Sequence, residues 1–425
     1  MSAPTDTTSG AGRSAYRRQE ESVTLSPVER VPGTDGYSEE LLTINMGPHH
    51  PATHGVLRLL VTLDGEIVRD LRPLIGYLHT GIEKTCEDKA YWKVVPLVER
   101  MDYLAYYFNA FAYVNAVEEL VGVEVPKRAQ YLRVIHMELN RIMSHLFWFG
   151  TSCLDLGAMS LLWYSLRERE TILDLFESSS GQRVHTRYFQ IGGVIEDVPS
   201  GWTDRCRAFV NELPRRIDQF RDLIYANEIA LQRLKGVGIV DADRLLALGV
   251  TGPLLRAAGV EWDLRKAQPY SSYDDFDFGV PLGAVGDNFD RMAVRLAEIE
   301  ESVKIIHQAL DGLPDGPVMV DDRKVALPPR DELATSMEAL IHHFKLVTEG
   351  FRVPPSELYA AIEGPRGELG CFVKADGSAK PARVHIRDSS FVNLQAITDM
   401  ARGSYIADLI ATLAMLDPIL GGIDR

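Results

Sequence analysis

Apolar and polar positions change their period along the chain, and the change divides it. Leu41–Met46 is a short apolar run that stops at Gly47-Pro48, the pattern of an edge strand. Val56–Leu63 is rich in β-formers, Asp64-Gly65 supplies a tight hairpin turn, and Glu66–Leu71 reads as the return strand. Together they predict a small antiparallel sheet, with His49–Gly55 looping between its first two strands. After about residue 80 the pattern becomes helical. Lys127–Phe149 starts behind Pro126, which suits a first helical turn, and Ile135, Leu139, Ile142, Leu146 and Phe149 recur at steps of three and four. Similar texture predicts helices in Ala158–Ser178, Asp204–Leu234, Asn288–Leu310, Asp331–Glu349 and Leu394–Leu416. The expected class is α+β, mainly α. Its expected parts are a disordered tail over 1–38, an N-terminal β-domain over 39–75 and a helical body over 76–425.

Composition narrows the function classes. The 425 residues carry 60 acidic and 45 basic side chains, a formal charge of −15, which argues against a general nucleic-acid binder. Cys86, Cys153, Cys206 and Cys371 lie at least fifty residues apart, so no disulfide framework, C-x-x-C site or iron–sulfur spacing is present. The first residues lack the apolar stretch of a secretory signal. A cytosolic chain with no redox centre of its own is expected. Phe147–Leu166 and Tyr405–Ile423 approach membrane-spanning length, but Asp155 interrupts the first, and Asp408, Asp417 and Pro418 interrupt the second. Buried core helices are expected there, and any meeting with a membrane is from outside.

Three places could carry chemistry. The loop N-M-G-P-H-H-P-A-T-H-G-V is the densest polar cluster. His50 and His54 lie four apart, a metal-site spacing only on a helix, which Pro51 and Gly55 oppose, and no carboxylate or thiol completes a ligand set. The loop is then either structural, its histidines capping backbone groups, or a ligand site on a rigid hairpin. Asp155 is a charge inside an apolar stretch, which is costly unless paired or protonated, or else it caps the helix at Ala158. Arg100-Met101-Asp102-Tyr103 is uninformative alone, and Glu363–Gly370 reads as a turn that leaves Arg366 solvated, the plainer reading, or presents it to an anion or a carbonyl. Spacing names no reaction.

Motif order goes further. The chain carries G-P-H-H-P-A-T-H-G-V-L-R-L, I-G-Y-L-H-T-G-I-E-K, R-M-D-Y, M-E-L-N-R-I-M-S-H-L and L-D-L-G-A-M, followed by L-R-E-R-E-T-I-L-D-L-F-E, G-V-T-G-P-L-L-R, H-H-F-K-L-V-T-E-G, E-G-P-R-G-E-L-G and G-G-I-D-R. In this order they resemble the D-subunit family of the proton-pumping NADH:quinone oxidoreductase, bacterial respiratory complex I. The resemblance covers about residues 40–425. That family is similar in turn to the large subunit of nickel–iron hydrogenases, which implies their fold for the helical body. Where the hydrogenases place nickel-binding thiolates, this chain has Asp102, Ala105, Ile419 and Gly422, which excludes nickel chemistry. The resemblance implies that the emptied site receives a quinone headgroup.

It further implies that His54 and Tyr103 hydrogen-bond the two quinone oxygens, with Asp155 beside the loop histidine. His50, Arg100, Asp102 and His185 would line the pocket or neighbour the terminal cluster. No metal or cofactor is expected on this chain. Electrons would come from a tetranuclear iron–sulfur cluster in the adjacent small subunit, the B subunit, with NADH and FMN bound elsewhere. The C and I subunits of the peripheral arm and the H subunit of the membrane arm are the other expected partners, at the cytoplasmic face of the membrane. Alternatives are the same site fed by ferredoxin or a deazaflavin dehydrogenase, or a scaffold that only docks the B subunit. Two departures stand out: His49 replaces a usual glutamine, and Gln190-Ile191-Gly192-Gly193 replaces the usual R-P-G-G.

Overall fold

The computed structural model describes residues 29–32 and 38–425. Strands β1 (Glu29–Pro32), β2 (Ser38–Met46), β3 (Arg58–Asp64) and β4 (Ile67–Leu74) form an antiparallel sheet in that order. One expectation changes here. The stretch read as tail contributes β1, and β1 pairs with β2 from Glu29↔Leu41 to Pro32↔Ser38, so β2 has β1 beside it over Ser38–Leu41, while Leu42–Met46 pairs with β3 alone. Residues 1–28 and 33–37 of the expected tail lie outside the described residues. The hairpin between β3 and β4 closes through Gly65-Glu66, with Gly65 at φ +59°.

Leu57, Leu59, Val61 and Leu63 alternate onto one buried face, as strand period requires. That face is covered by elements from the far end of the chain. Its core includes Leu394, Ile397, Met400, Leu409, Leu413, Leu416, Leu420 and Ile423. Main-chain bonds reinforce the contact, Val68 N–H donating to Ser404 O at 2.9 Å and Ile406 N–H to Glu66 O at 3.0 Å.

Helices α1 (Ile82–Glu87), α2 (Tyr91–Val98), α3 (Tyr106–Val121), α4 (Lys127–Asp155) and α5 (Met159–Ser180) begin the body. Two-residue strands β5 (Phe189–Gln190) and β6 (Gly193–Val194) precede α6 (Trp202–Tyr225) and α7 (Glu228–Leu234). The single helix expected over Asp204–Leu234 is thus split, Asn227 capping the second piece with its side chain. Short helices α8 (Ala242–Ala247), α9 (Pro253–Ala257) and α10 (Leu264–Ala267) lead to α11 (Asn288–Asp311) and α12 (Met337–Thr348).

The helical reading of the body misses a third sheet, β7 (Ser356–Gly364), β8 (Gly367–Ala375) and β9 (Arg383–Arg387), whose β7–β8 turn is Pro365-Arg366. The run expected over Leu394–Leu416 is broken into α13 (Ser389–Leu394), α14 (Ile397–Ala401) and α15 (Ile406–Leu416), with α16 (Leu420–Asp424) after it. Phe147–Leu166 spans the break between α4 and α5, and among the described residues no helix is long and apolar enough to cross a membrane.

Helix α4 is buried on almost every side, which its polar residues permit only by pairing. Glu138, wholly buried, receives Arg141, Arg265, the Tyr273 hydroxyl at 2.6 Å and the Ser302 hydroxyl at 2.6 Å. His145 Nε2 lies 2.9 Å from Glu298, itself paired with Arg256.

Candidate functional site

Four chain segments far apart in sequence meet around one side chain. Arg366, on the β7–β8 turn, is almost completely buried, not solvated as its turn suggested. Its Nη1 lies 2.6 Å from Asp102 Oδ2, its Nε donates to Asp417 O at 3.1 Å, and its Nη2 donates to Asp417 Oδ1 at 3.2 Å. Asp102 sits in the link between α2 and α3, where its other oxygen accepts the N–H groups of Leu104 and Ala105. Asp417 ends α15 in the left-handed region at φ +56°. Asp388 caps α13 by accepting the Ser390 and Phe391 N–H groups. Burial and the nearby Asp102 carboxylate push Asp388 up to about 6.

The network leaves little space around Asp102. Asp102, Ala105, Arg366 and Asp388 line what remains of it, a void of about 10 Å³. That is room for one water molecule at most. Gly422 packs against the Asp388 carboxylate and its neighbour Gly421 against the Met101 carbonyl. Larger clefts, of about 570 Å³ beside Gly377 and about 590 Å³ beside Asn227, are lined by none of these residues.

What faces outward is the pair His54 and Tyr103. His54 ends the short turn Pro51–Thr53 in the left-handed region at φ +55°, and Tyr103 follows Asp102. Both side chains keep solvent contact on one side while protein walls the other. This desolvation lowers the His54 pKa, and the Arg366 charge lowers it further. It raises that of Tyr103, as do Asp102 and Asp417, while Arg366 pulls it back. One buried guanidinium thus acts on both exposed groups.

The remaining candidates separate. His50 accepts the Ala52 N–H through Nδ1 at 3.2 Å, the structural role that was the plainer reading of the loop. Asp155 is half-buried at the end of α4 and caps nothing, since the residue ahead of α5 is Ala158, with no side-chain bond. Burial raises the Asp155 pKa, and the imidazole that offsets this is His50, where the expected neighbour was His54.

Arg100 is exposed and donates to Pro96 O. His185 lies on a separate turn, its ring 5.6 Å from Tyr106, and burial followed by the Arg100 charge lowers its pKa. His185 Nδ1 finds no acceptor among the described residues. The departure at Gln190 has a local use, its Nε2 donating to Arg187 O at 2.7 Å. No group of three or more His, Cys, Asp or Glu among the described residues is arranged to hold a metal ion. Asp388 was missed by sequence reasoning. D-S-S ahead of a short helix signals a cap but carries no sign of a partner 286 residues away.

Comparisons with known proteins agree along the chain. Residues 155–425 match the family described as respiratory-chain NADH dehydrogenase, 49 Kd subunit. A protein of Chloroflexus aurantiacus, named as the second D subunit of NADH-quinone oxidoreductase, is 54% identical over 389 residues, 91% of this chain and 95% of its own length. One of Geotalea uraniireducens, named as the D subunit of NADH-quinone oxidoreductase, is 51% identical over 388 residues, 91% of this chain and 100% of its own. Its namesake in Acidothermus cellulolyticus is 50% identical over 402 residues, covering 90% and 91%.

Proposed function

The chain belongs to the respiratory-chain NADH dehydrogenase 49 Kd subunit family, and from that premise we propose that it is a peripheral-arm subunit of an NADH:quinone oxidoreductase and forms one wall of its quinone-reduction site. The observation that carries this reading is the placement of exposed His54 and Tyr103 within the field of buried Arg366. The second wall is the B subunit, whose tetranuclear iron–sulfur cluster supplies the electrons. NADH and FMN bind elsewhere in the complex, and electron transfer is coupled to proton translocation at the membrane arm. The C, I and H subunits are the further partners, at the cytoplasmic face of the membrane.

The chemistry follows from the two donors. A quinone carries two carbonyl oxygens on opposite sides of its ring, and an imidazole N–H and a phenol O–H can each donate to one. Phenol is too weak an acid to protonate the oxidised ring, and the raised Tyr103 pKa makes it weaker still. Once two electrons have arrived the oxygens become basic: Tyr103 gives its proton to one, and His54, neutral at rest, takes up a proton from solvent and passes it to the other. Arg366 then faces a tyrosinate and stabilises it. The headgroup rests against the side of the Asp102–Arg366 pair on which His54 and Tyr103 are exposed.

The test is NADH:quinone reductase activity of the complex recovered with tagged chain from its host's membranes, wild type beside Tyr103→Phe. Severe loss in the variant with the same subunits recovered supports the assignment. Equal activity in both leaves the chain a scaffold for the cluster-bearing subunit. Quinone reduction from ferredoxin or a deazaflavin donor, but not from NADH, keeps the site and replaces the input module.

A further inference from the structure

Glu99 is an unusual buried acid. It is fully inaccessible, yet among the described residues it has no ion pair. Its carboxylate accepts one main-chain group, Arg187 N–H, at 3.0 Å to Oε1 and 3.3 Å to Oε2. The other buried acids beside this region are better compensated, Asp102 by Arg366 and Glu118 by Arg133. The charged and titratable groups acting around Glu99 are Arg100 on its own segment, Arg187 and His185 on the facing turn, and Tyr106 and Tyr107 on α3.

The turn that Glu99 holds is strained. His185 at φ +52° and Arg187 at φ +50° are both left-handed without being glycine, a conformation that persists only where neighbours over-determine it. Those neighbours are present. Tyr106 donates to Arg183 O at 3.0 Å and packs its ring on His185, and Gln190 donates to Arg187 O. The Arg187 guanidinium lies 5.3 Å over Trp92. Each of these holds a side chain or a carbonyl. The main-chain N–H of Arg187, at the centre of the strained pair, is held by Glu99.

We propose that Glu99 is the positioning residue of this turn, holding Arg187 N–H so that His185 keeps its place on the face turned to the cluster-bearing subunit. The inference rests on the reading that His185 neighbours the cluster carried there. A carboxylate suits the task because an ionised acceptor makes the stronger bond. Burial raises Glu99 to about 7, with the Arg187 N–H and the charges of Arg100 and Arg187 opposing the shift. The hold is therefore strongest where the carboxylate is ionised.

The test uses the intact complex with Glu99→Leu, Glu99→Gln and His185→Met. The readouts are hydrogen exchange of the 183–190 peptide and the pH dependence of the cluster's midpoint potential. Glu99→Leu should speed exchange at Arg187 by about tenfold or more, the factor carried by a hydrogen bond to a charged acceptor. It should also shift the potential's pH dependence towards that of His185→Met. Glu99→Gln keeps an acceptor oxygen and should restore most of the protection. Wild-type exchange and potential in Glu99→Leu overturn the proposal. An unchanged potential in His185→Met overturns instead the placement of His185 by the cluster, while the exchange result still decides the role of Glu99. If Glu99→Leu does not assemble, Glu99→Gln decides. Protection at Arg187 in wild type should then strengthen between pH 6 and 8 as the carboxylate ionises, and this rise should vanish in Glu99→Gln; the same rise in both contradicts the hydrogen-bond argument.

Discussion

Removing the charge of Arg366 while keeping its bulk, as in Arg366→Met, should be among the most damaging single changes outside the apolar core. The guanidinium is nearly inaccessible and neutralises Asp102 at 2.6 Å and Asp417 at 3.1 Å, both also buried. Breaking a buried pair by deleting one partner costs about 3–5 kcal/mol, because the remaining charge is stranded without solvent. Here two carboxylates are stranded, with Asp388 close by, so part of the cost is relieved by proton uptake at neutral pH. The expected net loss is about 3 kcal/mol. Pulse proteolysis of the complex across a urea series reads it as a lower unfolding midpoint. Combining Arg366→Met with Asp102→Asn should recover about 1–2 kcal/mol, since the double change removes both sides of the pair. A loss below about 1 kcal/mol, or strict additivity in the double variant, would refute the claim that this network holds the site together. Activity provides a second check. Without Arg366 the Tyr103 pKa rises further and His54 protonates more readily, so the activity that survives should show a displaced pH profile.

Other changes test separate parts of the structure. Glu99 sits at about 7 when folded, against about 4.3 in an unfolded chain, so the folded state binds this proton more tightly. Its contribution is full below about pH 4 and is lost as pH rises to 7; Glu99→Gln should therefore gain thermal stability relative to wild type from pH 5 to 8, by up to about 3 kcal/mol, and a pH-independent difference contradicts this. Gly422→Ala would push a methyl into the Asp388 carboxylate on a packed helix, an overpacking cost of about 1–3 kcal/mol. Asp388→Ala should relieve it, and failure of that rescue in a melting assay would show that the clash lies elsewhere. If Asp155 acts on the His54 loop through His50, whose charge opposes its raised pKa, Asp155→Asn should slow quinone reduction while the complex still assembles, and unchanged turnover would give Asp155 no part in it. Gly47→Ala should loosen the His54 loop, because Gly47 is left-handed at φ +84° with the Leu57 carbonyl directly over its α-carbon, and wild-type proteolytic resistance of that loop would argue otherwise.

The chain's periodicities and motif order already determine a good deal. Alternation over Leu57–Leu63 marks a half-buried strand, and steps of three and four through Lys127–Phe149 mark the long helix α4, because each period reports which side of a local element meets the core. The ordered segments from G-P-H-H-P to G-G-I-D-R identify the family, since ten motifs in one order are a property of the linear chain. Where an element stops is less legible. The breaks at Asn227 and after Ala401 interrupt texture that is helical on both sides, and a cap or a turn from another segment decides them. Only the tertiary structure decides the site's electrostatics. Arg366 lies 264 residues from Asp102, and its turn is one that solvates an arginine in any local context. The nearness of His50 to Asp155 and the sharing of the N-terminal sheet's core with α13–α16 are of the same kind. Local pattern fixes which faces are apolar, but long-range packing brings those faces together, and the ions carried between them acquire partners and pKa values only then.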